Sequence, residues 1–421
     1  MSGIMWGRAP VIRLGSAREW NELVDDLKRT GRRVTLSKCH QYDWIEPNSY
    51  NWDRDNNGNY TLYVTWRDGY PAVRYLYKAN GDLGIGGPAA LKYLSTMFER
   101  RSGVSLRKAF GVSDREEFSG YQYSPITFTP EEFIGRELRN VWKADCSSAY
   151  PYQATKTLPD LHRSVRREGR VRPSDEFPFA FHLRSNQLSI FNELDTREMS
   201  EHFLATAFND DAAYTARQKR SYGEAYNNRL HINGVRAEDD VTILCKESRF
   251  SLADVIAELY AGRKENDIYK AVLNLSIGTM SSARATVNPN GQMRHITSVI
   301  YARHIKRMMD LYDTIVGAGG VVLSIATDAI MWASTYDIPV YDREKRLGAF
   351  YLEHEKTVAW IEGQGFYALE KDGKVLVAKH QGLRVEDATL HRIKRARDIA
   401  NVAKTAKTLC FDWEEGEFFY G

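Results

Sequence analysis

Two apolar runs, each meeting a lone carboxylate, constrain this chain more than any other feature. Val141-Trp142-Lys143-Ala144 leads directly into Asp145-Cys146-Ser147-Ser148-Ala149-Tyr150-Pro151, and Ser324-Ile325-Ala326 passes through Thr327-Asp328 into Ala329-Ile330-Met331-Trp332. Short runs rich in β-branched and aromatic residues read as strands. An acid at the end of a strand, followed by a turn that exposes successive backbone N–H groups, can bind a divalent cation and set donors on a phosphate. The same residues also suit a plain helix N-cap. The second run reads as a hairpin whose tip presents Asp328, a residue type that is equally at home as a simple turn former.

A third feature is Lys270-Ala271-Val272-Leu273-Asn274-Leu275-Ser276-Ile277-Gly278, inside an amphipathic segment from Leu252 to Met280. At about 3.6 residues per turn, Arg263, Lys270, Asn274 and Ile277 fall along one face of one helix. That face is basic and polar at one end and apolar at the other. It suits a triphosphate held by cations beside a stacked base, and it is also the pattern of a solvated cationic face. In chain order, an acid on a strand, a cationic helix and an acid on a hairpin are the parts that nucleotidyl transfer needs. Two Mg²⁺ ions about 3.5 to 4 Å apart must bridge the attacking oxygen, the α-phosphate and the leaving pyrophosphate. Mg²⁺ takes one or two protein carboxylates and keeps several waters, so Asp145 and Asp328 are chemically sufficient.

At these residues the sequence resembles the family B DNA polymerases, and most closely their small protein-primed phage and mobile-element branch. Motif A of that family is Asp-x-x-Ser-Leu-Tyr-Pro, which Asp145 through Pro151 matches at Asp, Ser, Tyr and Pro. Motif B is Lys-x-x-x-Asn-Ser-x-Tyr-Gly, matched at Lys270, Asn274 and Gly278. Motif C is Tyr-x-Asp-Thr-Asp-Ser, of which Thr327 and Asp328 remain. Gln364-Gly365-Phe366-Tyr367 and Lys379-His380-Gln381-Gly382 look like degenerate forms of the primer-contacting Lys-x-Tyr element and the strand after it.

The resemblance implies catalysis by Asp145 and Asp328 with two Mg²⁺ ions, for which Mn²⁺ substitutes, Cys146 joining the acids as a metal ligand. It implies nucleotide contacts from Ser147, Ser148, Tyr150, Arg263, Lys270 and Asn274, with the Tyr150 ring excluding a ribose 2′-hydroxyl. DNA contacts are expected at Gly278, Thr327, Tyr367, Lys379, Gly382, Arg392 and Arg395. Expected partners are a DNA primer-template, dNTPs and a terminal protein or other replication proteins, without a membrane. Three departures stand out: Ala326 replaces the first motif C aspartate, Ile277 replaces a tyrosine, and Gly365 stands where the primer-gripping lysine belongs.

With 421 residues, two or three packing units are expected. The implied fold is α/β (α+β), a right hand with an antiparallel palm sheet. Its parts are an αβ N-terminal domain over 1–130, a palm over 131–245 and 281–370, helical fingers over 246–280 and a small thumb over 371–421. No Asp-x-Glu occurs early in a strand-like context, so no proofreading exonuclease is expected. The four cysteines form no Cys-x-x-Cys pair, which argues against a disulfide scaffold or structural zinc site. No apolar run approaches the roughly 20 residues of a bilayer-spanning helix, which predicts a soluble protein of the cytoplasm, the host cytoplasm if phage-encoded.

Lys plus Arg is 58 against 55 Asp plus Glu, so only local clusters can announce nucleic acid. The run from His162 to Arg172 and a basic helix from about His391 to Leu409 are the main candidates for phosphate contact. A capping-box helix is expected after Ser16, and a β-hairpin around Asp68-Gly69. Two other functions remain open: a catalytically impaired, polymerase-like DNA-binding protein, and a primase or reverse transcriptase on a shared palm.

Overall fold

The computed structural model describes residues 87–121, 126–196, 236–264, 267–283, 287–363, 365–380 and 393–400, with the strand segments 34–36, 60–64, 73–77, 383–384, 407–412 and 417–420. The helix expected after Ser16 lies outside the described residues. The fold is mixed α/β, with antiparallel sheets, and the chain divides into two compact units that share its length discontinuously.

Unit 1 takes in residues 1–123, 150–197 and 228–302. It opens with β1 (Val34–Leu36), β2 (Tyr60–Val64) and β3 (Val73–Tyr77); β2 and β3 form the expected hairpin, running from Val64 opposite Val73 to Tyr60 opposite Tyr77. Helix α1 (Gly87–Ser102) follows, with Pro88 in its first turn, where a missing N–H costs nothing. Ala89, Ala90, Leu91, Leu94 and Phe98 form its buried stripe. The short α2 (Leu106–Phe110) is capped by Ser105, whose hydroxyl accepts from the Lys108 N–H.

Unit 2 takes in 124–149, 198–227 and 303–421, and receives β4 (Thr127–Phe128) and the long β5 (Arg136–Cys146). Helix α3 (Ala149–Ala154), in unit 1 from Tyr150 on, precedes β6 (Pro159–Glu168), β7 (Phe179–His182), β8 (Gln187–Ile190), β9 (Leu194–Asp195) and β10 (Val241–Glu247). These strands make a five-stranded sheet in the order β6-β10-β7-β8-β9. Buried Asp240 anchors it, accepting from the Val241 and Arg184 N–H groups, the Ser185 hydroxyl and the Arg170 guanidinium. Those bonds hold its carboxyl below the usual range against the opposing effect of burial.

Two helices, α4 (Ala253–Gly262) and α5 (Asp267–Met280), occupy the segment expected as one. Arg263 is the C-cap of α4, its guanidinium 3.4 Å from the centre of the Tyr260 ring. It therefore does not share a helix with Lys270. Helical periodicity continued through Arg263-Lys264-Glu265-Asn266, a polar stretch with no apolar residue to bury.

Helix α6 (Arg294–Gly317) gives its residues through Ala302 to unit 1 and the rest to unit 2. Then come β11 (Val321–Ala326), β12 (Ala329–Ala333), β13 (Phe350–Gly363), β14 (Phe366–Lys371) and β15 (Lys374–His380). With β4 and β5 they build a seven-stranded antiparallel sheet in the order β15-β14-β13-β5-β12-β11-β4. Side chains alternate across it. On one face Trp142, Ala144, Ile325, Ile330 and Trp332 pack under Ile305, Met308 and Ile315 of α6; on the other lie Val141, Leu323, Met331, Ile361 and Tyr367. The indoles of Trp142 and Trp332 stack at 6.4 Å and 12° on directly paired positions.

The chain ends with β16 (Leu383–Arg384), β17 (Lys407–Asp412) and β18 (Glu417–Tyr420), a three-stranded antiparallel set. Of the basic helix expected from His391 to Leu409, residues 391–392 and 401–406 lie outside the described residues; Ile399 and Ala400 are helical, but the helix does not extend to Leu409, which lies in a strand. Residues 396–398 make one 3₁₀ turn, tied off where Asp398 accepts from the N–H groups of Lys394 and Arg395, and Lys407–Asp412 is a strand. Cationic spacing suggested a helix, but Thr408-Leu409-Cys410-Phe411 is an apolar run that favours extended pairing.

Trp332→Ala removes the larger part of the stacked pair and leaves a cavity. Equilibrium denaturation should show a loss of about 3–5 kcal/mol, far above the effect of truncating exposed Tyr336.

Candidate active site

Strand β5 carries Asp145 near its end, and both neighbours fix where that acid sits. Asp145 is paired with Ala329 of β12 on one side and with Tyr351 of β13 on the other. The Cys146 N–H donates to the Asp328 carbonyl at 2.7 Å. The two acids, far apart in sequence, therefore stand at adjoining strand ends.

Asp328 occupies a two-residue turn with Thr327, which has φ +62°. A β-branched residue rarely adopts that conformation, so the turn is strained. Bonds on all sides hold it: the Thr327 N–H donates to Ile126 O at 2.7 Å, the His304 Nε2–H donates to Thr327 O at 3.2 Å, and the Thr327 hydroxyl donates to Asp328 Oδ1 at 2.6 Å. Burial pushes His304 down to about 4, the Thr327 bond opposing it, so the ring is a neutral donor at physiological pH. Ser148, in the turn after Asp145, also has a positive φ, 52°.

Burial pushes the Asp145 carboxyl up to about 7, and the Asp328 and Glu353 charges add to that; Lys143 and Lys345 act against it. Glu353 behaves oppositely. Burial would raise it, yet Lys143 and the Tyr351 hydroxyl hold it below the usual range. Burial would lower the Lys143 ammonium, but Tyr367, Glu353 and Asp145 outweigh it and keep it above the ordinary lysine value. Excess negative charge is thus confined to the Asp145–Asp328 end. Among the described residues there is no cluster of three or more His, Cys, Asp or Glu able to hold a metal. A pair of carboxylates fits a divalent ion that keeps its waters, and such an ion would relieve the charge that raises Asp145.

The side chains either side of Asp145 alternate as β5 requires. Lys143 and Asp145 leave the sheet away from α6, while Cys146 points toward α6. Its thiol donates to Gly348 O at 3.4 Å and accepts from Arg307 at 3.7 Å, and burial pushes it up to about 12. A protonated thiol on the opposite face is not placed to ligate beside Asp145, which leaves only the Cys146 main chain for that role. Arg307 also donates to Gly348 O at 2.8 Å. The Ser147 N–H, expected to face a phosphate, donates to Ala349 O at 2.9 Å, and Ser147 O accepts from Gly348 at 2.8 Å.

In unit 1, Tyr150 packs on Tyr301 at 4.6 Å between ring centres and 49° between planes. Tyr301 also reaches Gly278, where an added Cβ would lie 3.6 Å from its hydroxyl. On α5, Lys270, Asn274 and Gly278 form an exposed row, whereas Ile277 is buried. The expected stripe therefore divides into a solvent row and a core residue.

Elsewhere, Tyr367 is buried on β14 opposite exposed Lys379 of β15. Arg395 is exposed and bonded to Glu370 at 2.6 Å. In the basic run from His162, Arg170 pairs with Asp240 and Arg166 with Glu117, so part of its charge is balanced internally. Gly382 and Arg392 lie outside the described residues.

Sequence reasoning missed His304 and Arg307, which brace the two acid-bearing turns from α6, and Lys143, Glu353 and Tyr351 beside Asp145. Strand alternation alone could have put Lys143 on the face of Asp145. The others come from elements whose pairing no local pattern announces.

No protein-family model matches the chain, and no curated protein matches it in sequence. Solved structures similar to it include phi29 DNA polymerase complexed with primer-template DNA, at 14% identity and a TM-score of 0.47 over 73% of this chain and 61% of that one. Phi29 polymerase complexed with single-stranded DNA gives 14% and 0.48 over 73% and 61%. The family B DNA polymerase from the archaeon Pyrobaculum calidifontis gives 14% and 0.37 over 76% and 37%. This chain thus spans 61% of the length of those phi29 polymerase structures. Among the described residues, no helix is long and apolar enough to cross a membrane.

The Asp145 carboxyl is raised from 3.8 to about 7 on folding, so the folded chain binds its proton more tightly between those values and stability falls as pH rises through the window. Asp145→Asn removes that penalty. In urea melts it should stabilise the protein by about 1–3 kcal/mol at pH 8 and by little at pH 4. An equal effect at both pH values would show that charge burial is not the cause.

Proposed function

We propose that this chain is a DNA-directed DNA polymerase that adds dNTPs to a primer 3′ end without proofreading, in phage or mobile-element DNA replication. One observation carries the reading: Asp145 and Asp328 meet at adjoining strand ends, with the Cys146 N–H on the Asp328 carbonyl and each carboxylate in the field of the other. Adjacent carboxylates that the fold leaves short of positive charge are what a site for divalent cations and phosphates requires.

In this reading Asp145 and Asp328 hold two Mg²⁺ ions, and the Cys146 main chain is the remaining motif A candidate ligand. Bound Mg²⁺ supplies Lewis-acid stabilisation of the phosphate oxygens. Arg263 and Lys270 offset charge on the β- and γ-phosphates, Asn274 lines the nascent base pair, and Ser147 and Ser148 shape the turn at the nucleotide. Tyr150 excludes the ribose 2′-hydroxyl; its ring is held by Tyr301. Gly278, Thr327, Tyr367, Lys379, Gly382, Arg392 and Arg395 belong to the DNA-contacting set, and a terminal protein is a candidate partner. The cytoplasm is the compartment this role implies.

Ala326 and Gly365, each standing where the motif pattern has a functional side chain, favour one alternative, a DNA-binding protein with impaired catalysis. Primer extension with Mg²⁺ or Mn²⁺ separates the two. Wild type should extend a primer, and Asp145→Ala or Asp328→Ala should each lower the rate on the order of a thousandfold while the chain still melts cooperatively. No extension by wild type with either metal would leave the binding role standing instead.

The gate assignment has its own test. Tyr150→Ala should raise ribonucleotide use relative to deoxyribonucleotide use by on the order of tenfold or more. If wild type already takes both sugars equally, Tyr150 is not a gate.

A further inference from the structure

A hydrogen-bonded run of side chains outside the motifs crosses the sheet face that carries Asp145. Tyr351 is directly opposite Asp145 in the β5–β13 register, so both side chains leave the sheet on the same side. The Tyr351 hydroxyl donates to Glu353 Oε1 at 2.8 Å, and the other Glu353 oxygen accepts from Lys143. Lys345 Nζ donates to the Tyr351 hydroxyl at 2.7 Å and lies 4.0 Å from the centre of its ring.

Two lysines on this face differ in exposure. Lys143 is buried and its charge is balanced by Glu353. Lys345, by contrast with Lys143, is exposed; it donates to the Tyr351 hydroxyl and its charge acts on Asp145. Tyr351, anchored beneath by Glu353, restrains the lysine stem before any ligand arrives, so less rotamer freedom is lost on binding.

The geometry points to Lys345, presented by Tyr351, as a phosphate-binding cation beside the Asp145–Asp328 pair. The inference rests on the polymerase reading and deepens it. Two acids alone repel a phosphate, and a compact ammonium beside them offsets that repulsion as a point charge. The ligand is a phosphate group, carried either by the incoming nucleotide or by the DNA strand. Lys345 stands in the same unit as both acids, unlike Arg263 and Lys270.

The test compares full-length wild type, Lys345→Ala, Lys345→Arg and Tyr351→Phe in primer extension with Mg²⁺, alongside primer-template binding across salt concentrations. Lys345→Ala should raise either the dNTP KM or the DNA Kd by about tenfold, Lys345→Arg should recover most of the loss, and Tyr351→Phe should fall between. A rise in KM alone assigns the phosphate to the nucleotide. A rise in Kd with a salt slope reduced by about one assigns it to the DNA. If both constants stay within twofold of wild type while the pH-rate profile moves, Lys345 only balances the acids and the inference is wrong. Calorimetric titration of the full chain with inorganic triphosphate and Mg²⁺ gives a readout without catalysis: weaker binding by Lys345→Ala supports the subsite even if wild type extends no primer, and equal binding overturns it.

Discussion

Strand β5 is paired on both edges, and from that pairing the geometry of the acid site follows. Its register with β12 sets Asp145 beside the Thr327-Asp328 turn, while its register with β13 sets Tyr351 on the opposite flank. A shift of one residue along either ladder would exchange the two faces, turning Asp145 toward the Ile305–Ile315 stripe of α6 and Cys146 into the position of the acid. The stacked Trp142 and Trp332 resist that shift, because their indoles fill the core only in this register. Packing on one face of the sheet thereby fixes chemistry on the other.

Electrostatics divide the acid-bearing face into a balanced half and an unbalanced half. Around Lys143 the buried ammonium meets the Glu353 carboxylate, and these two groups shift in the direction that each one's partner favours, against burial. At the Asp145–Asp328 end burial raises the Asp145 carboxyl, the Asp328 and Glu353 charges add to it, and the lysines nearby do not cancel the effect. Strain accompanies the charge: Thr327 and Ser148 both sit at positive φ without being glycine. Such features persist where the surrounding structure over-determines them, as His304, Ile126 and Arg307 do here.

Much of the local structure was legible because each element carried its own signal. The hairpin about Thr327-Asp328, the strand into Asp145 and the β2–β3 hairpin all follow from apolar runs broken by turn formers. Where the reading failed, a single signal had been extended past its support. Cationic spacing continued a helix through Arg263, but a helix in a folded chain is held by an apolar stripe, and Arg263-Lys264-Glu265-Asn266 has none; the basic helix was carried as far as Leu409, which instead pairs in a strand. The sequence does not say which part of Cys146 would face the metal; in the strand its thiol turns toward α6, opposite to Asp145, because adjacent residues face opposite ways.

By itself the sequence determined which segments extend, which coil, and that two isolated acids end apolar strands, since these depend on residue type and on periods of a few positions. Tertiary structure decided what those acids stand beside. Tyr351, Glu353, Lys345, His304 and Arg307 come to the site from more than a hundred residues along the chain from Asp145 through strand pairing and helix packing, and the charge each acid feels is the sum over such neighbours. Coulomb forces and burial act through space, so no pattern along the chain encodes them.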